Sequence, residues 1–120
     1  DMVFSHAALR AGCSIRYCAD ARVIHSHNYT AGEQLHRNFD LGVSQAMHPE
    51  VFARMRSERE GKRLVADTVR HLLRTGHGSE VPEYLWTCSA RYAGYLLGKH
   101  YRLLPRFLVL RLTNQRSFWK

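Results

Sequence analysis

Residues 82–98 read Pro82-Glu83-Tyr84-Leu85-Trp86-Thr87-Cys88-Ser89-Ala90-Arg91-Tyr92-Ala93-Gly94-Tyr95-Leu96-Leu97-Gly98. Leu85, Cys88, Tyr92, Tyr95 and Leu96 recur at helical spacing and make one apolar stripe. Pro82 suits the first turn of such a helix, where its missing N–H has no partner to lose. A second stripe carries Ala90, Gly94 and Gly98, small residues four apart, which lets another helix backbone come close. The expected use of that stripe is tight packing within this domain rather than dimerisation.

Outward from this helix the pattern stays helical. Leu35, Phe39, Gly42 and Val43 share a face in the segment after Thr30, and Thr30 with Glu33 makes a capping-box pattern. His48-Pro49-Glu50 breaks that helix, and Pro49 is placed to open the next, with Val51, Phe52 and Met55. A pause near Gly61 is expected, then a continuation through Leu64, Val65, Val69, Leu72 and Leu73. Gly76-His77-Gly78-Ser79 is a loop. Downstream, Pro105 interrupts and Phe107 to Leu112 is a short apolar-basic tail. There is no internal repeat and no low-complexity segment.

The first 25 residues differ. Met2 to Ala11 has helical spacing, with Asp1 at the N-cap position and Gly12 where a C′ glycine of positive φ ends the helix. Ser14 to Tyr17 alternates as a strand does, Cys18-Ala19-Asp20-Ala21 is a turn, and Arg22 to His25 is a second short strand. The reading is helix, strand, turn, strand.

The chain has 120 residues, 45% hydrophobic and 23% charged, values that suit a single folded domain and argue against disorder. No apolar run is long enough for a membrane span, and the start of the chain does not resemble a signal peptide. Three cysteines, Cys13, Cys18 and Cys88, cannot all pair, which suggests reduced thiols and a cytoplasmic setting. The formal charge of +8 favours anionic partners: nucleic acid, phosphorylated lipid, an acidic membrane face or a sugar diphosphate.

Several residues have chemistry to offer. Asp1 is a general-base candidate, although an acidic residue before a helix is usually only a cap. His25 and His27, with Ser26 between them and Asn28 after, would share a face at a strand end and there ligate a divalent metal or contact a diphosphate. Spacing alone favours exposed loop histidines. Tyr84, Trp86, Tyr92, Tyr95, Tyr101, Phe107, Phe118 and Trp119 suit sugar faces, a membrane interface or a core. From Lys99 to Lys120, basic residues interleave with apolar ones, as in a segment lying on anionic lipid or in a solvated helix face.

The order of these elements carries a resemblance. Asp1 to Tyr17, then Ala19-Asp20-Ala21-Arg22-Val23-Ile24-His25-Ser26-His27, with Asn28-Tyr29-Thr30 and Arg37 to Gly42 beyond, resembles the end of the catalytic core of family 2 glycosyltransferases of the GT-A fold. The rhamnosyl-transfer-like bacterial members are the nearest. The resemblance covers residues 1 to about 48 and weakens over the C-terminal helices. It implies a C-terminal piece of an inverting, nucleotide-sugar-dependent enzyme, whose nucleotide-binding part lies upstream. Asp1 then corresponds to the catalytic base, the second of an acidic pair. His25 or His27 corresponds to a histidine that helps hold a divalent cation, Mg or Mn. The implied partners are a nucleotide-sugar donor and a cell-envelope saccharide or lipid-linked acceptor.

The expected fold is therefore mainly α with one or two short β-strands, the C-terminal part of an α/β GT-A enzyme. Residues 1–29 would close the catalytic core and residues 30–120 form a helical region. The expected setting is cytoplasmic, with peripheral contact at the inner membrane face, and homo-oligomers through exposed or swapped elements are open. The fragment alone should be inactive. The rival readings are a basic helical membrane-surface module and a nucleic-acid-binding module, both without catalysis. Against the latter, the basic residues spread over every helix instead of gathering on one.

Overall fold

A computed structural model describes residues 2–24, 28–53 and 57–120. Helix α1 spans Met2–Arg10. It ends as the sequence suggests: Gly12 has φ +84°, its N–H donates to Leu9 O at 3.1 Å, and Cys13 N–H donates to Ala8 O at 3.0 Å. This is the Schellman arrangement, which gives the last carbonyls partners through a left-handed residue.

The two expected strands do not form. No strand occurs among the described residues. Residues 13–24 hold one turn, with Ala21 N–H donating to Cys18 O at 3.3 Å and Arg22 N–H to Asp20 O at 2.9 Å, but no ladder. The α/β expectation is thus corrected to all-helical. The physical reason is the absence of a partner edge. Alternating apolar residues mark a segment able to lie half-buried on a sheet, yet a lone two-stranded pairing is marginal in water. Ile15, Tyr17, Val23 and Ile24 accordingly stand exposed.

Helix α2 spans Ala31–Met47 with its full capping box. The Thr30 backbone N–H donates to Glu33 Oε2 at 2.8 Å, and Glu33 N–H donates to Thr30 Oγ1 at 3.3 Å. A short α3, Pro49–Phe52, opens on its proline; Met55 lies outside the described residues. Helix α4, Ser57–Arg74, runs through Gly61 without the expected pause. Gly61 has open space around it, so it costs only helix propensity, roughly 1 kcal/mol, and the helix absorbs that. Gly76 (φ +82°) ends α4, with His77 N–H on Leu72 O at 2.9 Å. A 3₁₀ turn, Gly78–Glu80, leads into α5, Val81–Lys99. Another, Tyr101–Leu103, precedes α6, Arg106–Leu112, and a third, Arg116–Trp119, follows it.

The centre of the molecule is the packing of α2 on α5. Gly94 lies against the backbone of Leu35, Gly98 against Phe39 O and Val43 N, and Gly42 against Tyr95 O and Lys99 N. Residue numbers rise together along both helices, so they run parallel, and α4 makes the return. A methyl group at any of these three glycines would land inside the neighbouring backbone. The stripe of small residues is therefore used inside the chain, as its sequence suggests. Phe39, fully buried, and Val43 pack with Val109 of α6 under Leu97, Tyr101, Leu104, Leu112 and Trp119.

Two α2 side chains one turn apart tie the C-terminal region onto this pair. His36 Nδ1–H donates to Leu112 O at 2.8 Å. The Asp40 carboxylate accepts from the Thr113 hydroxyl at 2.6 Å and from Asn114 N–H at 3.0 Å. These bonds satisfy groups at the end of α6 that no further helical turn would reach.

Candidate functional site

The residues with catalytic and metal assignments, Asp1, His25 and His27, lie outside the described residues, as does Ser26. Asn28 is exposed. Among the described residues no three His, Cys, Asp or Glu side chains gather as a metal site. Cys13, Cys18 and Cys88 are free thiols, the first two exposed and Cys88 half-buried.

The described residues form a groove of about 500 Å³ between α2, α4 and α5. Its existence follows from the glycines. Because α5 meets α2 backbone to backbone along its glycines, the tyrosine stripe of α5 lies beside that contact, and Tyr95 reaches across to Gln45 of α2. The α4 apolar face then closes only part of the gap, and Leu64 stays largely exposed. Leu41, Leu64, Val65 and Leu85 form apolar walls, with the rings of Tyr84, Tyr92 and Tyr95 beside them.

Polar side chains sit at intervals along this lining: Asn38, Gln45 and Ser89, with the cations Lys62 and Arg91. Tyr95 Oη donates to Gln45 Oε1 at 3.1 Å, which fixes the ring and the amide. The Tyr92 and Tyr95 rings stack with centroids 6.5 Å apart, and Lys99 Nζ lies 5.4 Å from the Tyr95 centroid. Asn38 Nδ2 donates to Gln34 O at 2.7 Å, leaving its oxygen as an acceptor. Ser89 Oγ donates to Leu85 O at 2.8 Å and can still accept. Among the described residues no carboxylate or imidazole lines the groove; it offers aromatic faces, amide and hydroxyl groups, the Cys88 thiol and two cations.

Tyr84, Tyr92 and Tyr95 belong to the aromatic set that the sequence singles out. Trp86 does not line the groove and is 69% exposed. Tyr101, Phe118 and Trp119 instead pack together at the C-terminal corner. Sequence reasoning misses the polar lining. The available signal was the Asn38, Leu41, Gln45 spacing on α2, which puts an amide, an apolar wall and a second amide along one helical side.

No family model matches the chain, and no solved structure does. Two bacterial proteins do. The chain is 36% identical over 120 residues to the O-antigen chain rhamnosyltransferase WbaN of Salmonella anatum. It is equally 36% identical over 120 residues to the O-antigen chain rhamnosyltransferase RfbN of Salmonella typhimurium strain LT2. Each alignment takes in 99% of this chain and 38% of the relative, so the chain spans well under half the length of the proteins it matches. From α1 to the final 3₁₀ turn, then, this chain is similar to one continuous portion of bacterial rhamnosyltransferases.

Proposed function

We propose that the chain is part of a rhamnosyltransferase that builds a cell-envelope polysaccharide such as O-antigen. The observation that carries this reading is the 36% identity to two such enzymes along essentially the whole chain. In this reading the parent belongs to family 2 and takes rhamnose from a nucleoside-diphosphate donor. The acceptor is a saccharide, free or lipid-linked. The acceptor hydroxyl attacks the anomeric carbon as the nucleoside diphosphate leaves from the opposite face, so the configuration inverts. Asp1 takes the hydroxyl proton. A carboxylate suits that task when burial by substrate raises its pKa toward working pH. A divalent cation, Mg or Mn, near His25 or His27 completes the reading, on the strength of the sequence resemblance.

The groove gives the described helices a part in this scheme, which is to hold the acceptor saccharide. Sugars present apolar C–H faces and a rim of hydroxyls. Tyr84 and Tyr92 suit the faces, while Asn38, Gln45 and Ser89 suit the hydroxyls. The test uses the full-length protein with thymidine- and uridine-diphosphate rhamnose and a saccharide acceptor. Asp1→Asn should lower kcat by about two to four orders of magnitude and leave donor KM nearly unchanged. Tyr92→Ala should raise acceptor KM while donor KM stays put. No rhamnosyl transfer by the full-length protein from either donor would refute the assignment. Transfer with an unchanged acceptor KM for Tyr92→Ala would remove only the groove from it.

A further inference from the structure

We propose that the C-terminal corner of the molecule docks on an anionic lipid bilayer, a role independent of the transferase reading. The sequence from Lys99 to Lys120 holds six lysines and arginines and no aspartate or glutamate. Asp40 of α2 bonds to this segment, and its two oxygens are occupied by the Thr113 hydroxyl and Asn114 N–H. From Arg102 onward the segment carries five lysines and arginines and no acidic residue of its own.

The corner also exposes large apolar side chains that its own fold covers only in part. Leu103 is 82% exposed, Phe107 68% and Phe118 57%. They stand on a fixed framework. Tyr101 packs edge-on to Trp119 at 5.3 Å, and Trp119 edge-on to Phe118 at 5.4 Å. Arg106 donates to Trp119 O at 3.0 Å, and the Arg102 guanidinium lies 5.8 Å from the Tyr101 ring centroid. The 3₁₀ turn before α6 and the one after it are therefore held together, with Arg102 on the half-buried Tyr101 and Arg106 on the carbonyl of the half-buried Trp119.

Charge alone would suit nucleic acid equally well. The combination decides for the bilayer. Exposed leucine and phenylalanine side chains enter the interface between head groups and acyl chains, while arginines meet lipid phosphates and aromatic residues sit at that same depth. No helix among the described residues is long and apolar enough to cross a membrane, so the contact is peripheral.

The experiment is co-sedimentation of the full chain with vesicles of phosphatidylcholine alone or mixed with phosphatidylglycerol. Binding should require the anionic lipid and weaken as salt rises. Replacing Arg102, Arg111 and Arg116 by glutamine should weaken partitioning on the order of a hundredfold, since each basic residue near the surface contributes a few-fold. Arg106 is left intact because it ties the framework. Leu103→Ser with Phe107→Ser keeps every charge and removes mostly exposed surface, and it too should weaken binding several-fold. Circular dichroism of both variants checks that the helices persist. Equal sedimentation with neutral vesicles would overturn the proposal. So would full vesicle affinity in the serine variant, or a preference for an RNA oligonucleotide over the anionic vesicles.

Discussion

Gly12 and Gly98 both lack a side chain for good reason, and the reasons differ. Gly12 has φ +84° and open space around it, so only its backbone conformation matters. Gly12→Ala should cost roughly 1 kcal/mol, and Gly12→Asn less, because asparagine tolerates the left-handed region. Gly98 is helical and has no room, since a methyl there meets the Phe39 carbonyl. Gly98→Ala forces two backbones apart and should cost about 3 kcal/mol or more, with asparagine worse still. Urea denaturation of the four variants distinguishes the two mechanisms by whether asparagine rescues. Glu33 gives a pH-dependent counterpart. The Thr30 backbone N–H, then its hydroxyl, hold the Glu33 carboxyl below its ordinary value of 4.5. A carboxyl with a lowered folded pKa contributes stability above its unfolded pKa, and that contribution fades as pH falls through the lower folded value. Helicity on acid titration should therefore fall later in Glu33→Gln than in the parent over this window, once each is referenced to its own neutral-pH stability.

The helices themselves show what a sequence makes legible. The capping box at Thr30, the proline starts at Pro49 and Pro82, and the left-handed ends at Gly12 and Gly76 are all local. Their chemistry lies within a few residues, so the pattern suffices. The small stripe of α5 was also readable, though its partner was not, because Leu35 and Phe39 of α2 are some sixty residues away. The strands failed for the complementary reason. Alternation at Ile15 and Tyr17 records a disposition to lie on a sheet, and only a neighbouring edge turns that into structure. The groove needed the rotation of three helices at once, which no single periodicity contains, and Asp1, His25 and His27 lie outside the described residues. The C-terminal tie was equally hidden, joining Asp40 to Thr113 across 73 positions. It makes a prediction at this scale. Asp40→Ala leaves the Thr113 hydroxyl and Asn114 N–H without their charged acceptor and should cost about 1–3 kcal/mol. Hydrogen exchange should show the loss concentrated in residues 106–120, with α2 and α5 amides still protected. Uniform loss of protection would mean that the tie is part of the core.

The whole molecule has more surface than its mass calls for. Its accessible area is 9944 Å², against about 6,700 Å² for a compact monomer of 13.9 kDa. Its radius of gyration is 17.1 Å, where a compact 120-residue fold would have about 13.6 Å. Residues 13–24 are exposed throughout and no ladder protects their backbone, so limited proteolysis of the isolated chain should cut there first. Peptide mass mapping would show this, and early cleavage within α2 or α5 would contradict it. Calorimetry of the same isolated chain with nucleotide sugars and manganese should detect no micromolar binding.

The backbone contact between α2 and α5 has a mechanical consequence. At Gly42, Gly94 and Gly98 the two backbones meet with no side chain of their own between them, and the Tyr95–Gln45 hydrogen bond beside that contact holds the register. They behave as one strut, about 25 Å long over α2. The groove lies on its flank, and the C-terminal corner is bolted to it through His36 and Asp40. A displacement of the corner is then felt first by α2 and α5, which supply two of the groove's three walls.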